Sequence, residues 1–350
     1  MTVRGSVWRG IPGAYAAGPV AARHPARSVD SPDGRAFALR IAYLVLTHAM
    51  PDHLGRLIAA LTEDETDFYV HVDRKVPVEP FLAHSATNVH FLERRLPVYW
   101  GQWQMVEATL RLIRSAIGQA DYDYLVLLSG SCYPIRSRVE IRGMLAAQPG
   151  AQYINSVAMP NAAVGKSLAR LDRFYRRSDQ SLLENVWRAA IGTRTLRRSG
   201  WPLSRRWLLA RDWRRGLGSL APYGGSTWWA LTGDACRHVD AFVERERRAT
   251  RFLENTRSPD EVLFQTILGN SPFAPMVHPS LTFTDWSAGG RHPAEITERH
   301  LARFAEPGPL LSAGPYGRGD RCFARKFPDD GGRMTRLVDE IVRQRVVPAA

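Results

Sequence analysis

Ile41-Ala42-Tyr43-Leu44-Val45-Leu46 is an unbroken apolar run closed by Thr47-His48. A run this short, rich in branched and aromatic residues, predicts a strand buried on both faces. Leu54, Leu57, Ile58 and Leu61 then recur at helical spacing. Phe68 to Val72 predicts a second strand, Val89 to Leu92 a third, and Tyr124 to Leu128 a fourth. Between the last two, Val106, Leu110, Ile113 and Ile117 mark a helix that begins near Trp103. This alternation predicts an α/β fold with a mostly parallel central sheet covered by helices on both faces. Ligands of such sheets bind beyond the carboxyl ends of the strands. Those ends carry Thr47-His48, Asp73-Arg74-Lys75 and Ser129-Gly130-Ser131-Cys132. Neither G-x-G-x-x-G after the first strand nor G-x-x-x-x-G-K-[ST] is present, so the usual dinucleotide and P-loop cradles are absent.

A second apolar segment carries the chemistry. Val262, Leu263, Phe264, Ile267 and Leu268 leave little polar face for water, so the segment reads as an enclosed helix. Ser258-Pro259-Asp260-Glu261 stands at its start. Ser258 suits an N-cap and Pro259 the first helical position. Ser258 and Glu261 then form an S-x-x-E capping box, with Asp260 as a partner of the helix dipole. The alternative for Glu261 is a general base at the mouth of a substrate cleft. Spacing alone leaves both open.

Composition narrows the class. The 350 residues are 45% hydrophobic, enough for one large α/β domain. Cys132, Cys236 and Cys322 are widely spaced and odd in number, which argues against a disulfide framework or structural zinc and fits a reducing cytoplasm. No apolar run is long enough to span a bilayer. Residues 1–37 carry no acid before Asp30 and lack an apolar core, so they read as a disordered tail or a start codon placed too far upstream, and not as a secretory signal. The net charge is +13, but only Lys75, Lys166 and Lys326 are lysines. The arginines are densest at about 165–220, interleaved with Trp187, Trp201, Trp207 and Trp213. That pattern predicts a solvated amphipathic helical insert, with an anionic membrane surface at the inner face as a second use. No zinc-finger or RNP-type motif supports nucleic acid.

Seven short motifs follow in order: His71-Val72-Asp73; Tyr99-Trp100-Gly101 with Glu107-Ala108; Leu128-Ser129-Gly130-Ser131-Cys132-Tyr133-Pro134-Ile135; Gly225-Ser226-Thr227-Trp228-Trp229-Ala230-Leu231; Pro259-Asp260-Glu261 with Phe264-Gln265-Thr266; Asp285-Trp286-Ser287; and Phe323-Ala324-Arg325-Lys326-Phe327. Over residues 40–328 the chain resembles the core-2/I-branching β-1,6-N-acetylglucosaminyltransferase and peptide O-xylosyltransferase family, in a soluble bacterial form. The resemblance implies a GT-A-type nucleotide-sugar fold and inverting transfer from a UDP-sugar. It implies no cofactor and no metal clamp of the Asp-x-Asp kind, the UDP-sugar being a substrate. Asp121-Tyr122-Asp123 is a literal Asp-x-Asp, but it precedes its strand and reads as a solvated turn away from the cleft.

Residue by residue, the resemblance makes Glu261 the catalytic base, which takes the proton of the acceptor hydroxyl. Asp73 matches the position that contacts the uridine part of the donor, with His48 and Thr47 beside it; its alternative is a turn residue paired with Arg74 or Lys75. Lys326 matches the lysine that contacts the diphosphate, with Arg325 adjacent. A second basic contact falls on Ala294 here, which leaves Arg291 as the substitute. Cys132 stands where the family commonly has aspartate. Ser226, Trp228, Trp229, Asp285 and Trp286 are acceptor-side candidates, and of two adjacent tryptophans on a strand only one can face the site. The implied partners are a UDP-sugar donor and a glycan or peptide acceptor. UDP-xylose and UDP-N-acetylglucosamine both remain open, with the motif wording closer to xylosyltransferases. Two other classes compete: a glycoside hydrolase, which would need a pair of catalytic carboxylates, and a basic, non-enzymatic binder of polysaccharide or nucleic acid. The domain plan is a tail at 1–37, a catalytic domain at 38–330, and a C-terminal helix at 331–350 packed on it through Leu337, Ile341 and Val342.

Overall fold

In the computed structural model, residues 39–178, 181, 210–290 and 292–346 are described. The expected tail at 1–37, the middle of the Arg/Trp-rich stretch and Arg291 lie outside them. The first strand, β1 (Ile41–Thr47), is buried at every position. Its side chains alternate between two cores: Ile41, Tyr43 and Val45 join one, and Ala42, Leu44 and Leu46 the other. That double burial is why the segment reads as continuous apolar sequence. It is followed by α1 (Pro51–Leu61), β2 (Thr66–Val72), α2 (Glu79–Leu82), β3 (Val89–Phe91), α3 (Trp103–Gln119) and β4 (Tyr124–Ser129). The expected alternation is present, with the short helix α2 added between β2 and β3.

The chain continues through β5 (Tyr133–Pro134), α4 (Arg138–Ala147) and β6 (Gln152–Ala158), then through α5 (Trp213–Leu217), β7 (Tyr223–Thr232), α6 (Gly233–Arg245) and α7 (Arg247–Glu254). Next come α8 (Leu263–Gly269), β8 (Val277–His278), β9 (Thr282–Thr284), α9 (Leu301–Ala305), β10 (Ser312–Gly314), β11 (Gly317–Gly319), β12 (Phe323–Arg325) and α10 (Arg333–Val346). The seven-stranded sheet has the order β3-β2-β1-β4-β7-β6-β8. Its strands are parallel except β7, which pairs antiparallel with both β4 and β6. The amino half of β7 therefore lies at the carboxyl ends of its neighbours, where Tyr223 faces Ala158. One core packs α1, α4 and α10 against the sheet, and the other packs α3, α6, α7 and α8 against the opposite face.

A small sheet, β5-β12-β9, sits beside the end of β4. In it β12 pairs antiparallel with β5 and parallel with β9, which brings Arg325 level with Thr284. The C-terminal helix buries Met334 and Val338, whereas the expected Leu337 and Val342 are only partly buried against the same core, and Tyr133 Oη donates to Asp339. Within 165–220 the described residues contain a 3-10 turn at Leu168–Arg170 and α5, not a long helix. An isolated antiparallel bridge joins Arg173 to Ala210, so the chain leaves and returns at one point. Among the described residues no helix is long and apolar enough to cross a membrane.

Candidate functional site

The strand ends form a ledge. Gly130 follows β4 so close to Thr47 that a Cβ there would lie 2.2 Å from the Thr47 hydroxyl, so only glycine fits. His48 is exposed at the end of β1. His71 is buried, and its Nε2 accepts from the Leu96 amide at 2.9 Å. Burial first of all pulls its pKa down to about 4, so the ring is neutral. The Asp73 carboxylate is buried and accepts from the Lys75 amide at 2.9 Å and the Val98 amide at 3.2 Å. It also pairs with Lys75 Nζ at 3.3 Å, and that ammonium sits 4.5 Å from the Tyr99 ring centre. This geometry is the turn pairing with Lys75, just beyond the carboxyl end of β2. Asp121 and Asp123 are exposed at the opposite end of the sheet, while Tyr122 is buried and donates to Asp67.

Glu261 is placed differently from the capping-box expectation. Ser258 has φ 52 and ψ 61, a left-handed conformation that costs a non-glycine residue on the order of 1–2 kcal/mol. An N-cap serine needs an extended backbone to aim its oxygen at the helix amides, and Ser258 makes no side-chain cap bond. Pro259–Glu261 is instead a separate 3-10 turn, and α8 starts at Leu263. The turn is held by the Ser258 amide donating to Gly101 O at 2.8 Å. Glu261 Oε2 accepts from Lys166 Nζ at 2.7 Å and from Arg170 at 2.7 Å. Among the described residues no hydrogen bond falls on Oε1. The Glu261 side chain keeps 28% of its surface exposed, whereas Lys166 keeps 7%.

Lys166 is brought there by a two-way backbone bridge with Asn161, and its stem runs over Gly224, where a Cβ would lie 3.3 Å from its Cδ. Burial lowers the Lys166 pKa, and the Glu261 charge acts against that shift. Arg170 ends a 3-10 turn whose start is capped by Ser167. Asp260 is not a dipole partner at a helix end. It is buried, and its Oδ2 accepts from the Thr227 hydroxyl at 2.6 Å. Burial first, and then the Glu261 charge, raise its pKa. Tyr316, between β10 and β11, lies within electrostatic reach of the same group. Its phenol is pushed up to about 12, by burial first and then by Glu261. Sequence reasoning missed Lys166, Arg170 and Tyr316; the first two are basic residues inside a stretch already full of arginine.

On β7, Thr227 meets Asp260 and Trp229 packs on Phe264 at 5.5 Å between ring centres. Trp228, projecting the other way, lies under Arg325, whose guanidinium carbon is 4.7 Å from the ring centre. Both tryptophans are buried, so neither presents an open indole face to the cleft. The Ser226 hydroxyl accepts from Asn155 at 3.0 Å and its carbonyl accepts from Gln265 at 2.8 Å. Arg325 Nε is buried without a hydrogen-bond partner among the described residues, and Cys132 lies beside the guanidinium. Burial pushes the Cys132 thiol up, against the nearby Arg325 charge, so it is a packed thiol and not a reactive one. Lys326 is half-buried, and no ion pair of its ammonium falls on a described residue. The Asp285 carboxylate accepts from the Ser287 amide at 2.8 Å and pairs with His300 at 3.1 Å and with Arg299, which is a turn anchor. Those bonds, the Ser287 amide first, hold its carboxyl well below the usual range. Trp286 keeps 54% of its surface exposed, and Trp100 keeps 62%. Among the described residues no three His, Cys, Asp or Glu side chains cluster as metal ligands do.

Xylosyltransferase 2 of Rattus norvegicus is 26% identical over 263 residues, covering 71% of this chain and 27% of that protein. The human beta-1,3-galactosyl-O-glycosyl-glycoprotein beta-1,6-N-acetylglucosaminyltransferase is 27% identical over 127 residues, covering 35% of this chain and 30% of that protein. The match thus spans under a third of each of these relatives. Among solved structures, mouse xyloside xylosyltransferase 1 has 10% identity and a TM-score of 0.32, covering 83% of this chain and 98% of that one. A galactosyltransferase with donor and acceptor sugar analogues has 11% identity and a TM-score of 0.34, covering 89% and 97%. The family described as Core-2/I-Branching enzyme matches residues 41–304, most of the folded chain, and the protein belongs to that family.

Proposed function

We propose that the protein is an inverting glycosyltransferase that moves a sugar from a UDP-sugar to a hydroxyl of a glycan or peptide. The observation that carries this reading is the Glu261 carboxylate, part-exposed and anchored, among the described residues, through Oε2 by Lys166 and Arg170. Anchoring one oxygen fixes the direction of the other, so Oε1 can take the proton of an acceptor hydroxyl as that oxygen attacks the anomeric carbon. A hydroxyl is a weak nucleophile, and a positioned base contributes about 10²–10⁴-fold. The leaving diphosphate needs positive charge as the bond to the sugar breaks. Lys326 fits that task, being half-buried and without an ion pair to a described residue. Arg325 fits it less well, because its guanidinium is spent on the Trp228 ring. Arg291, beyond the described residues, stays a candidate second contact.

Asp73 belongs to the donor side of this scheme, with its carboxylate held by backbone amides and ready for one more donor from the nucleoside. His48, exposed beside it, is a weaker contact. On the acceptor side, Trp286 has the exposure a sugar-stacking ring needs. Ser226, Trp228, Trp229 and Asp285 are better read as the frame around it, since their groups are engaged within the protein. The longer match to xylosyltransferase 2 favours UDP-xylose over UDP-N-acetylglucosamine. A hydrolase is disfavoured because the second carboxylate near Glu261 is the buried Asp260, which cannot flank a glycosidic bond.

Calorimetry with UDP, followed by UDP release from UDP-xylose and from UDP-N-acetylglucosamine with and without EDTA, tests the reading. Micromolar UDP affinity and release that persists in chelator are expected. No UDP binding, with retained affinity for polysaccharide or RNA, would support the non-enzymatic binder.

A further inference from the structure

We propose that Asp260 is a positioning residue for the transfer reaction: through its hydrogen bond to Thr227 it pins the turn that carries Glu261 to the reversed strand β7. The inference rests on the reading of Glu261 as the base. Asp260 and Glu261 are neighbours, yet their carboxylates go opposite ways. Glu261 turns out to Lys166 and Arg170, and Asp260 turns in, keeping 7% of its surface, to the Thr227 hydroxyl at 2.6 Å. The turn packs against β7, α3 and α8, and its backbone is tied to Gly101. The Thr227 bond is what ties it to the sheet through a side chain.

Burying a carboxyl is costly, and here the cost is only half offset, because Oδ1 is buried without a hydrogen-bond partner in the described structure. The charged and titratable groups that face it are Glu261 on its own turn and Lys166 from the Asn161–Lys166 bridge. Among the described residues Asp260 shares no hydrogen bond with either. An apolar residue would fill this place at lower cost, but could not accept the Thr227 hydroxyl. What the carboxyl supplies is therefore direction. The left-handed Ser258 already strains the turn, and a strained turn without its tether would relax and swing Glu261 away from the acceptor. Misplacing a reacting group by about 1 Å costs about 10²-fold.

The test uses the full chain and UDP release from whichever of UDP-xylose and UDP-N-acetylglucosamine is turned over. Asp260→Ala should lower kcat about 10²-fold, the scale of such misplacement, with donor KM and UDP affinity unchanged. Thr227→Val should lower kcat about tenfold, because the carboxyl stays but loses its donor. Asp260→Asn keeps an acceptor oxygen and Thr227→Ser keeps the hydroxyl, so both should stay within about threefold of the parent. A folded Asp260→Ala with parental kcat would overturn the proposal. So would an Asp260→Asn as inactive as Asp260→Ala, since charge and not the bond would then matter, or a loss that appears in KM alone. If Asp260→Ala does not fold, the Thr227→Val and Thr227→Ser pair decides by itself: rescue by serine supports the tether, and equal kcat in both refutes it. An active Glu261→Gln would remove the base assignment whatever these variants do. An inactive Glu261→Gln with a normal Asp260→Ala would remove only the tether.

Discussion

Among the described residues the sequence Ser-x-x-Glu stands at the head of two helical segments, and the structure uses it in two ways. At Ser137–Glu140 the serine is extended, with φ −64 and ψ 157, and the capping box forms in both directions. Glu140 Oε2 accepts from the Ser137 amide at 2.8 Å, and the Ser137 oxygen accepts from the Glu140 amide at 3.2 Å. At Ser258–Glu261 the serine is left-handed, the box is absent, and the glutamate goes to two cations drawn from another part of the chain. The difference lies in the backbone at the serine, and proline follows only the second one. A cap spends its glutamate on its own helix. The second segment gives up that local bond, and the carboxylate becomes available to a partner.

The largest expected effect separates the two glutamates. Glu261→Gln should lower UDP release by about 10²–10⁴-fold, the range for loss of a general base, while calorimetric UDP affinity holds. Near-normal turnover in the folded variant would return Glu261 to a structural role. Lys326→Ala comes next and probes the opposite side of the transferred sugar. It should cost about 10²-fold in kcat/KM, on the scale of one electrostatic donor, and unlike Glu261→Gln it should also weaken UDP. Unchanged UDP binding would move the phosphate contact to another cation.

Lys166→Met keeps the buried stem but removes one of the two bonds that orient Glu261. A drop in kcat of about tenfold, the scale of one charge-assisted hydrogen bond, is expected in the UDP-release assay. No change would mean that Arg170 holds the carboxylate alone. Glu140→Gln should do the reverse of Glu261→Gln: parental turnover, and stability lower by about 1 kcal/mol on chemical denaturation, as for a lost cap. Its pH dependence has a definite sign. Burial raises the Glu140 pKa, but the hydrogen bonds from Arg345 and Ser137 outweigh it and hold the carboxyl below its ordinary value. Its stabilisation is therefore full above the unfolded pKa and is lost as pH falls through the folded one. The glutamine variant should flatten that acid slope. The smallest effect belongs to Ser258→Gly. With no cap to lose and a positive φ to relieve, it should be neutral to about 1 kcal/mol stabilising, read as a shift in midpoint.

How much of this could be read from the chain depends on how far apart the cooperating residues are. The β1 run, the α1 spacing and the alternation to β4 are local patterns, and each became the expected element. Asp73 follows β2 and Lys326 follows β12, and the pairing of β12 with β5 and β9 is long-range, so no local pattern reveals where Lys326 lies. The Glu261 clamp was not legible, because Lys166 and Arg170 lie some 90 residues away in a segment whose arginine content hides two functional cations. The same applies to Trp228: alternation lets one tryptophan face the site, but both are buried in one core and Arg325 covers Trp228. Asp285 carries the motif expected of an acceptor contact, and only the fold reveals that its oxygens are taken by Ser287, His300 and Arg299.

The bridge between Arg173 and Ala210 has a consequence for the chain on either side of it. Lys166 and Arg170 come just before this pinch, and the amino half of β7 follows it. Loop-closure entropy grows slowly with length, by about 0.6 kcal/mol per doubling. The entropy lost in pairing Arg173 with Ala210 therefore depends only weakly on how many residues lie between them, and what the bridge fixes is the chain on either side, with Lys166 and Arg170 at Glu261 before it and β7 after it.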